Sequence, residues 1–153
     1  MSKFFKTVLL TGLFVGTTDI LSAFIIVFIG SGKFPAKMFN FIAGGVLGIP
    51  AAIKGGTAAG FLGLFFHYFI AFSFTLFFFW VFPKLRFLAF NKYLVGMLYA
   101  VFVNQVMEQV ILRLTPLPAG PFKLAETFIG WVTFGIVFGI PIAYNTYKYY
   151  GVD

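Results

Sequence analysis

Four long apolar segments constrain this chain more than any other feature of its sequence. They cover residues 8–29, 61–82, 93–112 and 128–147. At about 1.5 Å per helical residue, each can cross the roughly 30 Å hydrocarbon core of a bilayer. A transmembrane β-barrel is excluded because its strands alternate apolar and polar residues, whereas residues 77–82 are apolar on every face. The sequence therefore predicts an all-α membrane protein with four transmembrane helices in a single domain.

Composition supports this assignment and narrows the partners. Hydrophobic residues make up 61% of the chain and charged residues only 10%, whereas soluble domains carry about 25% charged residues. The 11 lysines and arginines, which give a net charge of +7, are scattered between the apolar segments. This distribution fits lipid headgroups and not a nucleic-acid site. The chain has no cysteine, which excludes disulfides, thiol redox chemistry and iron–sulfur clusters.

The residues at the ends of the segments indicate the topology of the chain in the membrane. The first segment is longer than a secretory hydrophobic region and no small-residue cleavage site follows it, so we expect a transmembrane helix and not a signal peptide. Four spans put both termini on one side. The short second loop holds Lys84, Arg86 and Lys92, which favours cytoplasmic termini under the positive-inside rule. The third loop, residues 115–123, holds three prolines and is predicted to be a stiff connector.

The connection between the first two spans, residues 30–60, differs from the other loops. It is rich in glycine and moderately apolar, but it is too short and too interrupted for a normal span. Two interpretations of residues 38–56 stay open: a helix lying in the membrane interface, or a re-entrant segment buried against the bundle. Close packing on other helices through Gly44, Gly45 and Gly48 favours an interfacial or partly re-entrant helix.

Two of the four acidic residues, Asp19 and Glu108, lie inside predicted spans. A carboxyl group at membrane depth is costly and usually faces a partner, a cavity or water, which makes both residues candidates for a functional site. Asp19 shares one helix face with Gly12 and Gly16, a small-residue face suited to close helix contact. Five polar residues near the two acids are predicted to line the same site: Thr18, Ser22, Asn104, Gln105 and Gln109.

His67, the only histidine, lies in the second span. Counting 1.5 Å per residue from the span centres places His67, Asn104 and the two acids in one layer near mid-membrane. The functional interpretation is an ion or proton relay, in which Asp19 and Glu108 exchange protons with an imidazole that titrates near neutrality. The structural interpretation is that these groups pair only to hold the helices in register, because buried polar groups must be satisfied in either case.

Two further groups of residues are candidates for function. The fourth span holds Gly135, Gly139 and Pro141, and Pro141 removes one helical hydrogen bond and frees a preceding carbonyl group. These three residues are a candidate hinge, with packing as the alternative. Lys54 and Arg113 are candidates for binding a lipid headgroup or another anion, with a simple snorkelling lysine or arginine as the alternative.

Enzymatic motifs are absent from the sequence. It lacks the HExxH, GxSxG, P-loop and dinucleotide-binding patterns, and one histidine per chain cannot supply a bis-histidine haem or a metal cluster. We therefore expect no enzymatic activity, no cofactor and no metal. An enzyme acting on lipid ranks third among the functions considered, because the sequence offers no catalytic pair near the interface.

The C-terminal part of the sequence carries a series of recognisable features. His67-Tyr68 leads through an apolar run to the VFPKL sequence at residues 81–85, Gly96 lies early in the third span, and the LTP sequence at residues 114–116 is followed by a second proline and the last span. From His67 to its C-terminus the chain resembles the YagU-like family of small bacterial inner-membrane proteins of unknown function. The resemblance implies a location in the bacterial inner membrane, not a reaction.

Two positions depart from this family. Asn104 and Trp131 stand where the resemblance leads us to expect histidine, which argues against a site built from several histidines. The residues that carry the resemblance lie from the second span onward, so it does not extend to Asp19 or to the connection at residues 30–60.

The function that best fits these residues is an ion- or proton-conducting channel or transporter protomer. Asp19 and Glu108 would be its ion or proton sites, with His67 as a relay and Asn104 as polar lining. A thin four-helix bundle has little interior for two carboxylates, so we expect a homo-oligomer or a partner membrane protein. The alternative is a non-transporting structural or accessory subunit of a membrane complex, in which the same residues only bind helices together or dock a partner.

Overall fold

The computed structural model describes residues 2–117 and 124–152. Within these ranges the chain is helical between short turns and forms no β-strand. Its α-helices are α1 (Lys3–Ser31), α2 (Met38–Leu47), α3 (Ile49–Lys54), α4 (Gly56–Val81), α5 (Lys92–Val106), α6 (Leu124–Phe134) and α7 (Ile140–Tyr150). Two π-helical segments and three 3-10 turns complete the helical structure: Met107–Ile111, Gly135–Gly139, Phe82–Lys84, Arg86–Ala89 and Leu112–Leu114. Most of the third loop that we predicted to be stiff, residues 118–123, lies outside the described residues.

Four stretches of the chain are long and apolar enough to cross a membrane: Lys3–Ser31, Gly56–Lys84, Lys92–Leu114 and Thr127–Tyr150. They confirm the four predicted spans and extend each of them at both ends. Side chains cap two of the extended starts. The Ser2 hydroxyl accepts a hydrogen bond from the Phe5 amide at 3.3 Å, and Asn91 Oδ1 accepts from the amides of Tyr93 and Leu94 at 3.0 Å. By length and composition, the chain is a multi-pass membrane protein.

The four spans form an antiparallel bundle. α1 packs against α4 and the fourth span, and α5 packs against the fourth span. The Phe4 ring lies with its centroid 6.1 Å from that of Phe79 and 5.7 Å from that of Tyr149. Both ends of the chain are therefore at the same end of the bundle, as four spans require. We call this end, which also carries the loop between α4 and α5, the terminal end.

Aromatic side chains fill much of the core between α4, α5 and α7. Phe78 is 1% exposed, and its ring centroid lies 4.5 Å from that of Tyr99. The Tyr99 hydroxyl donates to the Phe74 carbonyl at 2.6 Å, and the Tyr147 hydroxyl donates to the Leu88 carbonyl. Because lipid tails are as apolar as these side chains, packing and hydrogen bonds between helices hold the bundle together, and hydrophobic burial contributes little.

The connection between α1 and α4 is helical, but it forms two short helices instead of one. The break falls at Gly48, whose φ of 79° lies in the left-handed region that favours glycine. Pro50 follows, and it has no backbone N–H to continue a helix from α2. The Asn40 side-chain amide closes this hairpin by donating to the carbonyls of Ala52 at 3.0 Å and Gly56 at 2.6 Å. We call α2 and α3 together the α2–α3 hairpin, and it packs along the first half of α4.

Candidate functional site

Asp19 and His67 lie together where α1 contacts α4. Both side chains are partly buried, and His67 Nε2 lies 2.7 Å from the carbonyl oxygen of Gly16, three residues before Asp19 in α1. Their depths agree as well: at about 1.5 Å per residue, Asp19 lies about 18 Å from the end of α1 at Ser31, and His67 about 17 Å from the start of α4 at Gly56. The structure therefore brings together two of the three residues predicted to form a relay.

Small residues of α1 allow this contact to form. A Cβ atom added to Gly16 would lie 2.9 Å from the Tyr68 ring, and one added to Gly12 would overlap the Phe72 ring. The small-residue face around Asp19 thus packs closely against α4, as the sequence predicts.

Hydrogen bonds fix the orientation of the His67 ring. Its Nε2 atom lies 2.7 Å from the Gly16 carbonyl oxygen, and a carbonyl oxygen only accepts hydrogen bonds, so Nε2 carries a proton and donates it. Nδ1 is then the ring nitrogen that can take up and release a proton. The neighbouring Tyr68 makes a second hydrogen bond between α4 and α1. The Thr17 hydroxyl donates its one proton to the Leu13 carbonyl at 2.8 Å, so in the contact with Tyr68, also at 2.8 Å, the Tyr68 hydroxyl is the donor and Thr17 Oγ1 the acceptor.

The Asp19 carboxylate differs from its polar neighbours because it forms no hydrogen bond with other residues in the described part of the chain. The Ser22 hydroxyl donates at 2.8 Å to the backbone carbonyl of Asp19 and not to its side chain. Among the side chains of residues 2–117 and 127–152, no fully buried oxygen or nitrogen lacks a hydrogen-bond partner. The carboxylate oxygens therefore keep accessible surface, and they are available to water, an ion or a second chain.

Thr18 connects this region of α1 to the fourth span. Its hydroxyl lies 2.9 Å from the Val137 carbonyl oxygen and 3.0 Å from the Phe14 carbonyl oxygen of its own helix. Pro141 has no N–H to bond the carbonyl four residues earlier, which belongs to Val137. In an α-helical register this is the carbonyl that Pro141 leaves without a backbone donor, and the Thr18 hydroxyl donates to it.

Replacing Thr18 with valine is expected to lower the free energy of unfolding by about 1 kcal/mol, in the range measured for hydrogen bonds between transmembrane helices. Thr7→Val is the matched control, because the Thr7 hydroxyl donates at 2.9 Å to the Lys3 carbonyl of its own helix. Thermal unfolding of the purified proteins in one detergent measures both effects. Equal midpoints for the two variants would contradict a hydrogen bond that joins the spans.

Asn104 pairs with Trp131 across the third and fourth spans. Trp131 Nε1 donates to Asn104 Oδ1 at 2.9 Å. The structure therefore places Asn104 in a contact between helices, apart from the Asp19–His67 contact. These are the two positions at which the family resemblance predicts histidine, and in this chain they form one polar pair.

The structure does not bring Glu108 together with Asp19 and His67. Glu108 is exposed and lies in the π-helical segment Met107–Ile111, about 9 Å from the end of the third span at Leu114. Asp19 is about twice as far from the corresponding end of the first span. Counted from these two ends, Glu108 therefore lies about 9 Å nearer the membrane surface than Asp19.

The other predicted site residues also lie outside the Asp19–His67 contact. Gln105 is partly buried, whereas Gln109 is exposed and accepts a hydrogen bond from Arg113. Lys54 is exposed in the last turn of α3, where a cation stabilises the free carbonyl groups of a helix end. Lys54 and Arg113 both lie toward the end opposite the terminal end, and their side chains can reach lipid headgroups there.

The predicted hinge residues lie at and next to a π-helical segment. Gly135 and Gly139 bound this segment and Pro141 follows it. A Cβ atom added to Gly139 would overlap the Gly96 carbonyl oxygen, and one added to Gly135 would overlap the Met97 side chain. Both glycines therefore permit close packing against α5, and motion at this place stays a prediction.

Thr17 and the Val137 carbonyl were not predicted from the sequence to belong to the site, and Tyr68 was noted only as part of the family resemblance. The four-residue offset from Pro141 is a usable signal for Val137. Thr17 and Tyr68 gave no such signal, because their hydrogen bond depends on which faces of α1 and α4 meet.

The site contains no obvious place for a metal. No group of three or more His, Cys, Asp or Glu side chains that could hold an ion occurs among the described residues.

Comparison of the chain with protein-family models, with curated proteins and with solved structures found no match.

Proposed function

We propose that this protein is a proton- or ion-conducting protomer of a small membrane channel or transporter, with Asp19 and His67 as its proton-binding site. The observation that carries the proposal is the Asp19 carboxylate, which lies deep in a span beside an imidazole without a hydrogen bond to the described chain. A carboxylate kept only to hold helices in register is expected to be hydrogen-bonded inside the bundle. Thr18 and Asn104 are bonded in that way.

Asp19 and His67 can take part together in proton transfer. Nε2 of His67 keeps its proton, which it donates in a hydrogen bond to the Gly16 carbonyl. A transferred proton therefore enters and leaves at Nδ1. The Asp19 carboxylate stabilises the imidazolium that forms, or receives the proton through a water molecule between the two groups. Glu108, about 9 Å nearer the membrane surface, is the candidate for an outer site on the same pathway.

Proton flux through reconstituted protein tests this proposal. Liposomes that contain the wild-type protein and a pH gradient are expected to lose the gradient faster than liposomes without protein. Asp19→Asn is expected to slow the loss at least about tenfold, because an amide cannot replace a carboxylate in proton transfer. His67→Gln is expected to act in the same direction, since glutamine keeps an N–H donor for the Gly16 carbonyl but has no basic ring nitrogen to accept a proton.

Glu108→Gln is the matched control, because it makes the same change of acid to amide at an exposed position away from His67. We expect it to reduce the flux less than Asp19→Asn does. Folded wild-type protein that carries no flux above empty liposomes would refute transport. Flux that is unchanged by Asp19→Asn would refute the site while leaving transport open to another pathway.

A second candidate function is a non-transporting structural or accessory subunit of a membrane complex. It is favoured by the polar side chains that join spans to one another, such as Thr18 and Asn104. In this case Glu108, exposed within a span, would dock a second copy or a partner membrane protein. Loss of the oligomer in Glu108→Gln, together with no flux in the wild type, would support this function.

We also propose a bacterial inner-membrane location, following the family resemblance, with both termini in the cytoplasm. The terminal end carries six cationic residues against five in the loops at the other end, and three of the six are concentrated in the short second loop, which the positive-inside rule assigns to the cytoplasm. They are Lys3, Lys6, Lys84, Arg86, Lys92 and Lys148. Labelling of a cysteine introduced at Tyr150, from each side of the membrane in turn, tests this orientation in a chain that has no other cysteine.

For the α2–α3 hairpin we propose a partly re-entrant position. Gly60 and Gly63 of α4 lie against Asn40, Phe39 and the residues that follow them in α2. These glycines are about 6 and 10 Å inside the start of α4, which supports a hairpin that dips below the membrane surface along the second span. A spin label on α2 that shows no contact with lipid tails would contradict this depth.

A further inference from the structure

A groove of about 700 Å³ runs between α1 and α7 at the terminal end. One face of each helix forms a wall, with Lys3, Leu10 and Phe14 on α1, and Ile140 and Lys148 on α7. Because α1 and α7 are antiparallel, both walls begin with a lysine at the terminal end and become apolar toward the middle of the membrane. Both lysines lie at the mouth, and the apolar side chains of Phe14 and Ile140 lie at the inner end.

The length of the groove matches one leaflet of a bilayer. From Lys3 to Phe14 it extends about 17 Å along α1, and half of a hydrocarbon core is roughly 15 Å thick. The mouth is cationic, since Lys3 and Lys148 are both exposed there. The Lys3 ammonium also lies 5.9 Å from the centre of the Tyr149 ring, which keeps its charge over the groove.

We propose that this groove binds one anionic phospholipid, with the phosphate between Lys3 and Lys148 and an acyl chain along Leu10, Phe14 and Ile140. Over the depth of a leaflet the lining changes from the two lysines at the mouth, past the polar side chains of Thr7, Thr11 and Asn145, to the apolar side chains at the inner end. This order is that of an amphiphile with an anionic head and a hydrocarbon tail. The two lysines select an anionic headgroup over a zwitterionic one by their charge.

Lipid retention by the purified full-length protein tests this assignment. The protein in detergent is titrated with phosphatidylglycerol or with phosphatidylcholine of the same acyl chains, and bound lipid is counted by native mass spectrometry. We expect phosphatidylglycerol to be retained at least about fivefold more tightly, and this preference to be lost in the Lys3→Gln, Lys148→Gln double variant, since one lysine near an anionic lipid changes binding roughly fivefold. Leu10→Trp, which adds bulk to the apolar wall, is expected to weaken the binding of both lipids.

The Lys37→Gln, Lys54→Gln double variant is the matched control, because it removes two exposed lysines outside the groove. It is expected to keep the preference for phosphatidylglycerol. Equal retention of the two lipids by the wild type, or a preference that survives loss of Lys3 and Lys148, would overturn the proposal. Asp19→Asn is expected to leave lipid retention unchanged, so failure of the lipid site and failure of the proton site are distinguishable.

Discussion

Replacing Gly139 with leucine is expected to prevent the third and fourth spans from packing and to lower the free energy of unfolding by about 3 kcal/mol or more. A Cβ atom at Gly139 would overlap the Gly96 carbonyl oxygen and lie 2.8 Å from Ala100 Cβ. A Cβ atom at Gly96 would in turn lie 2.7 Å from Ile140 Cα. The crossing is therefore tight from both sides. Because the backbone atoms of a helix cannot rotate away, the two helices have to separate.

Separation would also loosen the side chains packed beside this crossing. Val103, Phe138 and Ile142 are all at most 2% exposed, and their van der Waals contacts are the main attraction between helices that are surrounded by lipid. The loss of these contacts adds to the steric overlap at Gly139. We expect the variant to aggregate or to unfold at a midpoint at least about 6 °C below that of the wild type.

Gly130→Leu is the matched control for this prediction, since it makes the same substitution in the same span. A Cβ atom at Gly130 would have no neighbour within 4 Å among the described residues, so the expected change is within about 0.5 kcal/mol. Thermal unfolding and size-exclusion chromatography of the three proteins in one detergent provide the comparison. Equal midpoints for Gly139→Leu and Gly130→Leu would show that the helices do not approach so closely.

The helical architecture could be predicted because a bilayer leaves few alternatives. Backbone groups in hydrocarbon must be hydrogen-bonded within the chain, so each long apolar segment becomes a helix, and all four predicted spans are confirmed. The division of the first connection into α2 and α3 was not predicted, although Gly48 and Pro50 are local signals for such a break. Its depth in the membrane stays a prediction, because depth depends on the lipid as well as on the chain.

The depth of the site residues in the membrane could be predicted from the sequence. The direction in which each side chain points around its helix could not. Counting residues gave comparable depths for Asp19 and His67, and the structure places them together. The face that Glu108 presents depends on how every helix is rotated against its neighbours, and no single helix encodes that rotation. In the same way, Pro141 identifies Val137 as the residue with a free carbonyl group. Only the packing of α1 on the fourth span identifies Thr18 as its donor.

Gly63→Ala is expected to detach the α2–α3 hairpin from α4, although it adds a single methyl group. A Cβ atom at Gly63 would overlap the Phe39 carbonyl oxygen, lie 2.7 Å from the Phe39 carbonyl carbon and lie 3.1 Å from the Ala43 amide nitrogen. All three are backbone atoms of the hairpin, so no side-chain rotation relieves the overlap. The hairpin then has to move away from α4 as a unit.

This movement removes more than one contact, because the hairpin and α4 meet through small side chains. Ala43, Ala52 and Ala59 are at most 4% exposed and pack against one another, and such close approach is what stabilises helix contacts in a membrane. An increase of a few tenths of an ångström in the helix separation weakens all of these contacts together. We expect the docking of the hairpin to lose about 2 kcal/mol or more.

Gly60→Ala, one turn earlier in α4, separates this steric effect from the change in helix propensity. A Cβ atom at Gly60 would meet only Asn40 Oδ1, at an ordinary contact distance of 3.5 Å. Alanine is also the better helix former by about 0.5–1 kcal/mol, so Gly60→Ala is expected to be neutral or slightly stabilising. Limited proteolysis in detergent distinguishes the variants, because a detached hairpin is cleaved faster within residues 32–55. If both variants are as protected as the wild type, the hairpin does not rest on Gly63, and the support for its partly re-entrant position is lost with that contact.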